Sequence, residues 1–184
     1  MKTFILSSAA TLLVSTGAIA QIAAPMSSPA IGTRMTEPAP VMAAPYVAKA
    51  GASDLYEIQS SQLAAKQAAD PKVKAFAKMM VLHHTMTTKQ VTAAARASGL
   101  KPLPSMLEPM QAKMIAQLQP LTGAAFDTAY VTQQKTAHAM ALNLHQTYAA
   151  NGDKGPLKAA ASKAVPIVKQ HIAKLETMGP TVTS

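Results

Sequence analysis

The placement of prolines and glycines constrains this chain more than any other feature. From residue 46 onward all but Gly51, Pro109 and Pro166 gather into a few short breaks, at Pro71, Gly99 to Pro104, Pro120 to Gly123, Gly152 to Pro156 and Gly179-Pro180. Proline has no N–H to give a helix and glycine costs the most backbone entropy, so these breaks punctuate the long Ala-, Lys-, Gln- and Met-rich stretches between them. A first helix is expected from Tyr46 to about Ala69. Asp70 then serves as N-cap and Pro71 as first residue of a second helix, which ends at Ser98 with Gly99 as a left-handed cap. Ser105-Met106-Leu107-Glu108 matches a capping box opening a shorter helix to about Gln119. Two more long helices cover about Ala124–Ala150 and Pro156–Met178, the last kinked at Pro166. Two tight connections and one long one among four long helices specify an all-α, ferritin-like antiparallel four-helix bundle, whose single long crossover carries the short extra helix.

The N-terminal residues follow other rules. Lys2, the apolar run Phe4–Val14 and the Ala18-Ile19-Ala20 site have the order of a secretory signal over residues 1–20, cut before Gln21. The run is too short to span a bilayer, and no later segment approaches the roughly 20 apolar residues a membrane helix needs. Residues 21–45 carry five prolines among Ala, Ser and Thr and read as a disordered tether. The expected organisation is therefore signal, tether, bundle domain over 46–178 and a tail over 179–184. The protein is expected to be exported to the periplasm or exterior, with no integral membrane insertion after cleavage.

Chemistry is narrowed by what is missing. With no cysteine, the chain has no disulfides, thiolate ligands or Cys nucleophiles. It also shows no nucleophile elbow, glycine-rich phosphate loop or paired catalytic carboxylates, so a binding or structural role is expected in place of catalysis. The net charge of +9 comes mostly from isolated lysines without a basic block or arginine cluster. That pattern argues against nucleic acid and fits an anionic cell-surface polymer or another periplasmic protein as partner.

The remaining signal is histidine on apolar helix faces. His84 interrupts the stripe Val73, Phe76, Met80, Val91, Ala95; His138 shares a face with Tyr130, Gln134, Ala141 and His145; His171 aligns with Leu157, Ala164, Val168 and Leu175. Glu57 lies near the middle of the first helix. In an antiparallel bundle mid-helix residues meet at one level, so Glu57, His84, His138 and His171 are expected to form one polar layer, with Asp54 and Gln134 placed to orient it. Three imidazoles and a carboxylate suit one divalent transition metal ion, such as zinc, copper or iron. A hydrogen-bonded His–Glu core layer leaves the same sequence signature, and both readings stand. His83 and His145 are expected at the surface or edge. A further copper-handling reading rests on thioethers: Met106, Met110 and Met114 recur every four residues, and Met79, Met80 and Met86 surround the His83-His84 pair.

The segments ASDLYE (ending at Glu57), FAKMMVLHH (ending at His84), GAAFDTAYV (around Asp127 and Tyr130), the His138 helix and VPIVKQHIA (around Pro166 and His171) resemble a bacterial secreted family, domain of unknown function 4142. The resemblance spans Tyr46 to Met178. It implies a ferritin-like bundle, export with association to the outer membrane, and recurring positions at Glu57, His84, Asp127, Tyr130, His138, Pro166 and His171. Members commonly carry an acidic residue where this chain has His83. Di-iron bundles use Glu-x-x-His on two helices, whereas the residues three before His84 and His171 are Val81 and Val168. The missing carboxylates argue against ferroxidase or oxygen chemistry and leave a mononuclear site or none.

Overall fold

The computed structural model describes residues 39–102 and 104–178. Five helices follow one another: α1 (Ala43–Gln67), α2 (Pro71–Ala97), α3 (Pro109–Leu118), α4 (Gly123–Asn151) and α5 (Gly155–Glu176). Turns join α1 to α2 and α4 to α5 as antiparallel hairpins, and side-chain pairs fix how the hairpins meet. Tyr46 reaches His145 and Ser61 reaches Tyr130, so α1 and α4 run antiparallel. On the opposite side, His83 of α2 meets His171 of α5. The 98–122 crossover must travel the length of the bundle, and α3 lies within it against α1 and α4. This is the four-helix, single-crossover topology expected from the breaks.

Local chemistry explains the helix ends. Asp70 accepts the Lys72 N–H at 2.7 Å and Pro71 occupies the first turn, as expected. Gly99 has φ 77°, and the Leu100 and Gly99 N–H groups donate to the Ala95 and Arg96 carbonyls, closing α2 in a Schellman motif. The short helix corrects the expected start. It opens at Pro109 with Glu108 as N-cap, and Gln111 Oε1 accepts the Glu108 N–H at 2.9 Å. A residue before proline is pushed out of the α region, so Ser105 cannot begin a helix running through Glu108. Pro166 lies inside α5 and leaves the Ser162 carbonyl without its usual helical donor.

The tether boundary is also corrected. Residues 43–45 already belong to α1, where Pro45 is tolerated in the first turn, and Val41 bridges to the α4–α5 turn through Val41 N–H to Asn151 O and Asp153 N–H to Val41 O. Gly152 is needed there for space, since a Cβ would meet the Tyr148 ring and carbonyl at 2.6 Å. At the other end, the Asp127 carboxylate accepts the Ala69 and Asp70 N–H groups and ties α4 to the α1–α2 turn. The expected signal over residues 1–20, residues 21–38 of the expected tether and the 179–184 tail lie outside the described residues.

Two apolar clusters fill the bundle. One contains Phe76, Met80, Leu118, Phe126, Tyr130 and Leu175; the other Tyr46, Val91, Ala95, Tyr148, Leu157 and Ala161. Each fully buried leucine or phenylalanine contributes about 1.5–3 kcal/mol over its exposed state, so the two clusters hold the helices in register on either side of a polar middle. No helix among the described residues is long and apolar enough to cross a membrane.

Candidate metal centre

The histidines of the polar middle come from three of the four long helices. His84 from α2, His138 from α4 and His171 from α5 are buried, and one ring nitrogen of each lies within 4.8 Å of the others. Their ring centroids are 5.3–5.9 Å apart. Each residue interrupts an apolar stripe, so burying the stripe carries the imidazole inward.

The hydrogen bonds leave particular nitrogens over. His84 Nδ1 donates to Asp54 Oδ1 at 2.7 Å, and Asp54 is itself held by Thr87 and Thr88 hydroxyls, each at 2.9 Å. His84 Nε2 has no partner. His138 Nδ1 donates to the Gln134 backbone carbonyl at 2.8 Å, and its Nε2 faces His171 Nδ1 at 3.2 Å. Glu57, the α1 candidate, is fully buried with Oε1 3.5 Å from His138 Nδ1, but that nitrogen is already committed to the carbonyl. Both Glu57 oxygens lack hydrogen-bond partners. The expected four-member layer is thus three imidazoles in mutual reach with a carboxyl beside them. Of the two residues expected to orient it, Asp54 grips His84 directly; Gln134 acts through its main chain while its side-chain amide donates to Ser60.

Electrostatics separates these groups. Burial, reinforced by the charge on His84, pushes His138 down to about 4. Burial and the cationic fields of His84, His138, His83 and Lys174 push His171 down to about 3. Both are therefore neutral at pH 7, the protonation state a metal ligand requires. Burial also opposes charge on His84, but the Asp54 hydrogen bond and the charges of Asp54 and Glu57 outweigh it and raise its pKa. Burial lifts Glu57 to about 7 against the opposing field of His84.

Of the two histidines expected at the surface or edge, His83 lies at an edge and His145 does not. His145 is buried, 6% exposed, because its α4 stripe faces the second apolar cluster; its Nδ1 lies 3.1 Å from the Tyr46 hydroxyl. His83 is half-buried at the α2–α5 seam, with Nδ1 2.8 Å from His171 Nε2. Adjacent residues on a helix point about 100° apart, so His83 looked lateral; the close approach of α5 brings a lateral residue into contact. The methionines separate into two places. Met80 is buried in an apolar cluster that Met79 packs against, and Met86 is exposed. Met110 and Met114 line a groove of about 250 Å³ with Met140 between α1, α3 and α4, and Met106 is 78% exposed.

Fold and site together define a ferritin-like bundle protein with a buried three-histidine cluster. The chain belongs to the domain of unknown function (DUF4142) family, whose model matches residues 28–178. Its fold is similar to that of CopM, solved in a Ag-bound form (TM-score 0.64, 12% identity, covering 78% of this chain and 99% of that one). CopM in its Cu(II)-bound form gives a TM-score of 0.64 at 14% identity, covering 75% of this chain and 95% of that one. The Cu(I)-bound form gives 0.65 at 13%, covering 78% and 99%. No curated protein matches the chain.

Proposed function

We propose that this is an exported metal-binding protein that holds one transition-metal ion, copper in the first instance, through His84, His138 and His171, with Glu57 as the adjacent carboxyl. The observation that carries this reading is the unpaired His84 Nε2 facing two neutral imidazoles, with the unpaired Glu57 carboxyl beside them. A buried polar atom without a partner costs about 1–3 kcal/mol, and an ion accepting that nitrogen would remove the cost. The Asp54–His84 pair has the arrangement by which a carboxylate fixes the tautomer and direction of a ligating histidine. Nitrogen and oxygen donors without thiolate favour Cu(II) over the other divalent first-row ions. The likeness to CopM, solved with copper and silver, supports the same choice. The missing second set of carboxylates favours storage or transfer over oxygen chemistry, and the positive net charge favours an anionic surface polymer or a periplasmic protein as partner.

A second reading is favoured by one observation: the His83–His171–His138 chain is already hydrogen-bonded without an ion, as a layer that only fixes helix register would be. Copper titration followed by thermal melting separates the two. Binding to the folded form at 100 times Kd adds about 2.7 kcal/mol, seen as a rise in Tm. Elemental analysis should give one copper per chain. Equal rises in wild type and a His138→Ala, His171→Ala double variant would leave only the structural layer.

A further inference from the structure

Among the described residues, the buried site is flanked by apolar layers. His84 is 4% exposed and Glu57, His138 and His171 are fully buried. Phe76, Met80 and Tyr130 lie in the cluster on one side, and Tyr46, Val91 and Tyr148 in the cluster on the other. A hydrated cation cannot cross such layers without losing its water uncompensated. A small pocket of about 20 Å³ at Asp54 and Thr88 approaches from the α1–α2 side. It leads to the Nδ1 side of His84, which Asp54 already occupies.

Among the described residues, a chain of imidazoles gives a polar route inward. His138 Nδ1 must donate, because a carbonyl only accepts; its neutral ring therefore presents Nε2 as acceptor. His171 Nδ1–H then donates to His138 Nε2, which leaves His171 Nε2 to accept from His83 Nδ1–H. The His83 and His171 rings stack at 5.1 Å with an interplanar angle of 16°. Nitrogen thus follows nitrogen from the half-buried seam to the buried cluster, and His171 has one ring nitrogen facing each end.

We propose that His83 is the port of the site: it takes the ion from solvent at the α2–α5 seam and passes it inward by ligand exchange through His171, without holding the seated ion. The proposal rests on the metal reading of the preceding section. A port lowers the barrier to the same transition state from both sides, so its loss must slow uptake and release together and leave affinity unchanged.

The experiment uses the full chain with Cu(II) alone. The protein has four tyrosines and no tryptophan, so stopped-flow quenching of tyrosine emission reports uptake, and its recovery on adding EDTA reports release. His83→Ala and His83→Gln should each slow both rates at least about tenfold, equivalent to about 1.4 kcal/mol of barrier, with unchanged affinity and unchanged copper-induced rise in Tm. The glutamine variant keeps a hydrogen-bond donor for His171 but lacks an imidazole, so normal rates in it and slow rates in His83→Ala would reduce His83 to a hydrogen-bonding support. Unchanged rates in both variants would place the port elsewhere. Faster release with weaker binding would make His83 a ligand of the seated ion. Any of these three results overturns the proposal while the metal reading survives; wild-type uptake that persists in the His138→Ala, His171→Ala variant overturns both.

Discussion

His138 and His145 lie two turns apart on the same face of α4, both buried, and their surroundings make them different kinds of residue. His145 is paired with the Tyr46 hydroxyl, and Tyr46 stacks on Tyr148 at 3.9 Å, so its level of the bundle has an aromatic floor and no second imidazole within reach. At the level of His138, two further imidazoles converge, and unpaired atoms remain on His84 and Glu57. A buried histidine thus points to a metal only where neighbouring donors exceed the hydrogen-bond partners available to them. By that measure His145 is a core residue.

The comparison is broken most directly by metal dependence. In the His138→Ala, His171→Ala double variant the copper-induced stabilisation of about 2.7 kcal/mol at 100 times Kd should vanish, whereas His145→Ala should keep it in full, read as the Tm difference with and without copper. A comparable loss in His145→Ala would erase the distinction between the two levels.

Removing the support behind a ligand should cost less than removing ligands. Asp54→Asn keeps the volume but weakens the acceptor for His84 Nδ1, and copper affinity should fall about 10–100-fold by competition with a chelator. Unchanged affinity would separate the Asp54–His84 bond from metal binding.

The metal-free protein should show a particular acid response. His138 and His171 take up protons at about 6.5 when unfolded but only at about 4 and 3 when folded, so their contribution is present above 6.5 and lost as pH falls. Glu57 has the opposite sign: raised from 4.5 to about 7, it stabilises the fold as pH falls through 7, and its contribution is complete by about 4.5. Between about 6.5 and 4.5 two histidines are opposed by one carboxyl, so urea melts should show a net decline of about 1.4 kcal/mol per pH unit there, steepening to about twice that between 4.5 and 4 once Glu57 no longer contributes. In Glu57→Gln the steeper slope, about 2.8 kcal/mol per pH unit, should begin already near pH 6.5; identical acid limbs would show that Glu57 does not share the layer's proton balance.

The smallest effect belongs to the satisfied level. Tyr46→Phe removes one hydrogen bond while keeping the stacked ring, and should cost about 1 kcal/mol in urea melts with no change in the copper increment. A copper increment altered by this change would join the two levels into one site.

Much of this architecture follows from sequence alone because its signals are local. Asp70-Pro71 and Gly99 act on hydrogen bonds within a few residues of themselves, and the apolar stripes through His84, His138 and His171 point wherever their helices bury them. Those features determine four long helices, one crossover and three histidines carried inward. The tertiary structure decided what depends on distances between helices. The separation of α2 and α5 brings lateral His83 onto His171, the packing of α1 on α4 gives His145 a tyrosine, and Asp127 ties down a turn more than fifty residues away. Even at Glu57, whose burial its stripe foretold, the sequence could not show that His138 Nδ1 would be committed to a main-chain carbonyl. Helix periodicity sets the direction of a side chain to within a sector, whereas a hydrogen bond or a metal ligand is decided by less than an ångström, and only the packed bundle fixes that.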